Sequence, residues 1–217
     1  SSVFSIPFLG LTNEGMPRFY NERGVETLGD FNFSSSSINF LKYSGTLDPT
    51  DVGTLTNTFR YKNFTLSANI NYEFGAVTRL RSISNTDDYS AFPRELTQRW
   101  KKPGDEAYTD IPRIPTSYAF DQYGADNLIN GFYAYSASTA RIVSADLVRL
   151  KEISMEYTVS KTLLRRTPLK NLAVKLQAQN LMLLYSDARL RGDDPAYMYS
   201  SSVTAPKKLI LTLRVGL

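Results

Sequence analysis

The stretch 57–75, NTFRYKNFTLSANINYEFG, carries the feature that most restricts what this chain can become. Phe64, Leu66, Ala68, Ile70, Tyr72 and Phe74 are apolar, and the residues between them, Thr65, Ser67, Asn69, Asn71 and Glu73, are polar. Side chains alternate across a strand with period two, so this stretch reads as a strand with one oily face and one wet face. Phe59 and Tyr61 hold the other parity. A tight hairpin at Lys62-Asn63 accounts for the switch, with Asn63 tolerating a positive φ.

The same alternation returns three times. In 147–159, Ile153, Met155, Tyr157 and Val159 alternate with Ser154, Glu156 and Thr158, while Val148 and Leu150 lie on the opposite parity. One extra residue near Lys151-Glu152, a β-bulge, would put both sets on one face. In 171–183, Leu172, Val174, Leu176 and Ala178 alternate with Lys175, Gln177 and Gln179. The terminal 207–217 places Leu209, Leu211, Leu213, Val215 and Leu217 together. The expected core is therefore strands 56–61, 64–74, 147–159, 171–183 and 207–217, joined by loops 76–145 and 184–206. Residues 1–55 are rich in turn formers and read as a loop-rich segment with short strands at 2–9 and 38–43. Within 76–145, SAFPRELTQRWKK (90–102) reads as a helix, and YGADNLINGFYAY, whose glycines form no phosphate loop, reads as a loop.

Residue types that are missing exclude several functions. The 217 residues contain no Cys and no His, which removes disulfides, thiolate nucleophiles, common zinc sites and a Ser-His-Asp triad. A formal net charge of +4 with no long basic run is a weak case for nucleic acid. Adjacent Asp193 and Asp194 read as turn formers before Pro195, because neighbouring carboxylates supply too few oxygens for calcium. The pairs Asp87/Asp88 and Asp105/Glu106 are not set apart from ordinary loop acids, so no catalytic and no metal residue is assigned. No cofactor is expected, and the chain is read as not an enzyme. No apolar run is long enough for a transmembrane helix, and the amino terminus does not read as a signal peptide.

Two architectures fit such strands. A soluble β-sandwich would turn the oily faces inward and bind carbohydrate or protein through its aromatic loops. An antiparallel transmembrane β-barrel would turn them toward lipid, and its strands run about 9–11 residues. On the barrel reading, the lipid-facing residues are Phe64, Leu66, Ala68, Ile70, Tyr72, Phe74, Ile153, Met155, Tyr157, Leu172, Val174, Leu176, Leu211, Leu213 and Val215. The lumen-facing residues are then Asn69, Asn71, Glu73, Glu156, Lys175, Gln177, Gln179 and Arg214. Connections that alternate short and long also suit a barrel, which has short periplasmic turns and long outer loops.

Several segments in order carry a resemblance. GTLTNTFRYKNFTLSANINYEFG, ELTQRWKKPGDEAYTDIPRI, ADLVRLKEISMEYTVSKTLL, LAVKLQAQNLMLL, GDDPAY and APKKLILTLRVGL resemble successive parts of the TonB-dependent outer-membrane transporters of the SusC/RagA type. LGLTNEGMPRFYNERG resembles the segment before that hairpin, so the likeness runs along nearly the whole chain. The resemblance implies an all-β fold: a C-terminal fragment of roughly five to seven strands from a barrel of about 22 around a plug. It implies import of an oligosaccharide or oligopeptide, a bacterial outer-membrane location with loops at the cell surface, and a periplasmic C-terminus. The implied partners are the remaining N-terminal barrel and plug, a SusD-like lipoprotein, TonB acting through the missing part, and outer-membrane lipid, with no nucleic acid. Leu217 departs from the aromatic residue that commonly ends such strands. The loop aromatics Tyr89, Trp100, Tyr108, Tyr118, Tyr123 and Tyr133 are candidate contacts to partner or substrate, although Trp100, next to Lys101, Lys102 and Pro103, reads more readily as a structural residue.

Overall fold

The computed structural model describes residues 1–32, 38–80, 94–198 and 205–217. In chain order the first strands are β1 (Ser2–Ser5), β2 (Phe8–Leu11), β3 (Pro17–Tyr20), β4 (Glu26–Thr27), β5 (Lys42–Thr46), β6 (Asp51–Tyr61), β7 (Phe64–Phe74) and β8 (Val77–Arg79). Helices α1 (Ser117–Tyr123) and α2 (Ala125–Ser136) follow, then β9 (Ile142–Ser144), β10 (Leu147–Thr158), α3 (Lys161–Leu164), β11 (Asn171–Tyr185) and β12 (Lys208–Gly216). The fold is mostly β, every sheet is antiparallel, and no helix among the described residues is long and apolar enough to cross a membrane.

Two compact units result: Ser1–Leu47 with Val77–Val143, and Asp48–Ala76 with Ser144–Leu217. This differs from the expected division at residue 55. The long loop expected over 76–145, read as carrying short helical or strand pieces, supplies Val77–Val143 to a folded unit together with the first 47 residues. The reason is that both pieces carry apolar side chains that neither can bury alone. Phe19 is fully buried, with the rings of Phe8 and Phe31 each 5.9 Å away, and Phe8 in turn meets Tyr135 of α2 edge-on at 5.7 Å. Met16 packs with Ala119 of α1 and Leu128 of α2 in a second cluster.

Helix α2 corrects the loop expected at 123–135. Leu128, Gly131, Ala134 and Tyr135 form its buried side, a helical spacing that the glycines disguise. Gly131 is there for contact: a Cβ on it would lie 2.7 Å from the Leu28 carbonyl oxygen. Gly29 is held as closely, since its Cβ would meet the Asn127 carbonyl. Conversely, the helix expected at 90–102 is a single 3-10 turn, Arg94–Gln98, and residues 90–93 lie outside the described residues. Glu95 of that turn is consumed by Arg141, whose guanidinium reaches it through two bonds of 2.9 and 2.7 Å. Arg141 is almost wholly buried beneath the Tyr135 ring, and burial pushes the Tyr135 hydroxyl up to about 12.

The second unit is one five-stranded meander, in the order β12-β11-β10-β7-β6. The strands are longer than expected at two ends: β6 begins at Asp51 rather than 56, and β11 runs to Tyr185. The hairpin of β6 and β7 closes at Lys62-Asn63 with Tyr61 opposite Phe64. The left-handed residue is Lys62 (φ 52°), not Asn63. Asn63 is retained for another reason, since its side-chain amide donates to the Thr158 carbonyl while its own carbonyl accepts from the Thr158 amide. That exchange ties the hairpin tip to the end of β10.

Breaking the buried pair tests the first unit's core. Glu95→Gln should cost about 3 kcal/mol in thermal unfolding, because it leaves the Arg141 charge buried and uncompensated. Replacing both partners with apolar residues should recover most of that loss.

Candidate functional surface: the two faces of the sheet

Register brings every expected oily residue onto one face. Tyr61, Phe64, Tyr157 and Val174 form one cross-strand row; Phe59, Leu66, Met155, Leu176 and Leu211 form the next. Ala68 then lies beside Ile153, Ala178 and Leu209, and Ile70 beside Leu55 and Leu150. The register shift between Leu150 and Glu152 is the β-bulge: Lys151 is the extra residue that keeps Val148 and Leu150 on the same side as Ile153. Among the described residues of the unit, no second layer covers this face. Leu66 is 45% exposed, Met155 46%, Leu211 71% and Leu213 62%.

Aromatic rings mark both ends of the oily face. Phe64 and Tyr157 meet at 4.7 Å beside the Lys62-Asn63 turn. At the far end Tyr72 stacks on Phe74 at 5.3 Å. Gly53 sits opposite Tyr72, and a Cβ there would strike the tyrosine ring, so the glycine lets the ring lie across the strand.

The opposite face is polar and internally bonded. Asn69, Asn71, Glu73, Glu156, Lys175, Gln177, Gln179 and Arg214 all fall on it by register. Arg214 donates to Glu156 at 3.3 Å across two strand spacings, and Gln179 donates to Glu152 at 3.1 Å. Thr58 and Ser67 bond at 3.0 Å, and Thr54 donates to Asn71 at 3.2 Å. Sequence reasoning missed Arg149. It lies on this polar face, opposite Asn71, and reaches Asp194 at 2.7 Å, a pair only 23% and 10% exposed. Asp194 also caps the 3-10 turn Pro195–Tyr197 by accepting from the Ala196 amide, as a turn-forming Asp before proline would. The segment after β11 is thereby fastened to the polar face, with Leu190 and Pro195 buried. No spacing rule connects Arg149 with a residue 45 positions away.

The loop aromatics separate by burial. Tyr89 lies outside the described residues. Trp100 is buried, its indole flat against Gly15 and its Nε1 donating to Glu106 at 3.0 Å, so its ring serves the unit's own packing and not a contact surface. A hydrogen bond from its own backbone amide and the one from Trp100 hold the Glu106 carboxyl below its ordinary value. Tyr123 is half-buried and donates to Glu14, and burial with that bond pushes its hydroxyl up to about 12. Tyr108, Tyr118 and Tyr133 stand at the surface, 91%, 69% and 62% exposed.

No protein-family model and no curated protein matches the sequence. Solved structures do. The RagAB peptide importer in its open-open state superposes with a TM-score of 0.63 at 16% identity, covering 99% of this chain. The fold is that of a segment of RagAB. The RagAB peptide transporter agrees at TM-score 0.63 and 17% identity, and the closed-closed importer at 0.61 and 16%. The chain spans 22% of the length of each RagAB chain. The resemblance to SusC/RagA-type transporters seen in the sequence is thus matched in three dimensions.

Asp194→Asn tests how the segment after β11 is held. It should weaken the fastening by about 1–3 kcal/mol, read as faster limited proteolysis within residues 186–198 and unchanged cleavage elsewhere.

Proposed function

We propose that this chain is the C-terminal barrel portion of a TonB-dependent outer-membrane nutrient importer, with its oily face on lipid and its polar face lining a hydrated lumen. The observation that carries the reading is the exposed apolar face bounded by rings at both ends. From Phe64 to Phe74 is ten steps along β7, about 33 Å along a strand, which at a barrel tilt of about 40° projects to an apolar band about 25 Å tall between aromatic girdles. A soluble sandwich would cover that face with a second sheet. The likeness to the RagAB chains supports the same reading.

Backbone groups cannot stay unpaired in lipid. The outer edges of β6 and β12 are therefore completed by the remaining barrel, which also holds the plug and the segment that engages TonB. Both long connections, after β7 and after β11, leave the same end of the meander, and both short ones leave the other. On this reading the end of the sheet with the long connections faces the cell surface and the end with the short turns, with the C-terminus, faces the periplasm, as outer-membrane barrels have long outer loops and short periplasmic turns. Oligopeptides or oligosaccharides are the cargo, a SusD-like lipoprotein is the surface partner, and the exposed Tyr108, Tyr118 and Tyr133 are candidate contacts. The proposal assigns this chain no catalysis, metal or cofactor.

Charge substitutions on the two faces separate lipid from lumen. Leu66→Lys or Leu213→Lys should each cost about 2–4 kcal/mol if the site lies near mid-bilayer, seen as loss of the heat-modifiable band in outer membranes. Asn69→Lys and Gln177→Lys should assemble normally. Equal tolerance on both faces would count against a membrane barrel.

A further inference from the structure

The segment 97–109 of the first unit is rigidly built and electrostatically unbalanced. Trp100 anchors it through Gly15, Thr109 donates to the Gln98 carbonyl at 2.7 Å, and the Trp100 amide donates to the Ile111 carbonyl at 2.9 Å. Its two acids are turned inward on the loop itself. Asp105 accepts the backbone amides of Lys101 and Lys102 at 3.0 and 3.1 Å, and Glu106 accepts the Trp100 indole and the Gly104 amide. Among the described residues, no carboxylate lies within ion-pair range of the side chains of Arg99, Lys101 or Lys102. These three cations line a recess of about 380 Å³, with Tyr108 standing 91% exposed at its wall.

We propose that this recess binds the carboxylates of an acidic peptide. Three cations against two acids, Asp105 and Glu106, leave one net positive charge on the segment, with the acids bonded to the loop's own donors, and a concave site of that sign attracts anions. The anion's chemistry follows from what the loop has already used. Phosphate is favoured by converging backbone amides, but the amides of Lys101, Lys102 and Gly104 are taken by Asp105 and Glu106. Arg99 gives its Nη1 to the Leu96 carbonyl at 2.9 Å and stands as a fixed charge, whereas Lys101 and Lys102 are cations on flexible stems that suit carboxylates spaced along an extended segment. The Tyr108 ring offers flat apolar contact, and its hydroxyl a hydrogen bond, to peptide groups between those carboxylates. The assignment of a soluble peptide as occupant rests on the importer reading above and narrows its cargo to acidic oligopeptides.

The test uses the full-length protein containing this chain, extracted in detergent, with fluorescent tetraglutamate, tetraglutamine and inorganic phosphate as probes. Tetraglutamate should bind, and its affinity should fall as salt rises from about 50 to about 500 mM. The double variant K101Q/K102Q should weaken tetraglutamate about tenfold and leave tetraglutamine unaffected; Tyr108→Ala should weaken tetraglutamate without changing its salt dependence. The inference is overturned if the double variant binds tetraglutamate as the parent does, if tetraglutamine binds equally well, or if phosphate displaces tetraglutamate at matched concentration. Assembly is scored separately by the heat-modifiable band. An assembled barrel that ignores tetraglutamate removes the recess and leaves the importer reading standing, whereas a protein that never forms a barrel removes that reading whatever it binds.

Discussion

Because side chains alternate with period two, a slip of one residue anywhere in the five-stranded sheet would exchange its apolar and polar faces. Register is therefore the constraint on which the second unit depends. Three devices hold it. The two-residue turn at Lys62-Asn63 sets Tyr61 opposite Phe64. The exchange between Asn63 and Thr158 sets the end of β10 against that turn. The bulge at Lys151 absorbs one residue, so that both halves of β10 present their apolar side chains to the same side. Without the bulge, Val148 and Leu150 would sit among Asn71, Gln179 and Glu73, and Arg149 would be carried away from Asp194.

The two faces answer different demands. Across the polar face, hydrogen bonds run from side chain to side chain through Thr58, Ser67, Glu152, Gln179, Glu156 and Arg214. Across the apolar face rings and aliphatic groups pack with Asn57 as a polar exception at the β6 edge, and water has free access to it in the isolated chain. Such a surface is stable only against something apolar. The physics asks for lipid or a covering protein layer, and the described residues of the second unit supply no such layer.

Much of this was readable from residues in order. Strict alternation in 64–74 and 171–179 encodes a two-faced strand locally, and the parity break at Lys151-Glu152 disclosed the bulge. The first unit was harder because its information is non-local. Helix α2 was hidden by Gly131, whose value lies in contact with the Leu28 carbonyl and not in helix propensity. Trp100 read as a structural residue, but its partner Gly15 lies 85 positions earlier and no local pattern names it. Arg141 with Glu95 and Arg149 with Asp194 are pairs between distant charges, which a single sequence does not match up. The basic recess escaped for the same reason: only the folded loop reveals that Asp105 and Glu106 are spent on backbone and indole donors.

The central claim is that the oily face meets lipid, and the absence of cysteine from these residues makes a direct measurement practical. Single cysteines introduced as Leu66→Cys, Leu176→Cys, Leu213→Cys, Asn69→Cys and Gln177→Cys in the full-length protein can carry an environment-sensitive fluorophore in brominated-lipid bilayers. The account predicts strong quenching by the brominated lipid at 66, 176 and 213, with quenching by aqueous iodide at 69 and 177. Iodide reaching all five positions alike, or lipid quenching none of them, would contradict it.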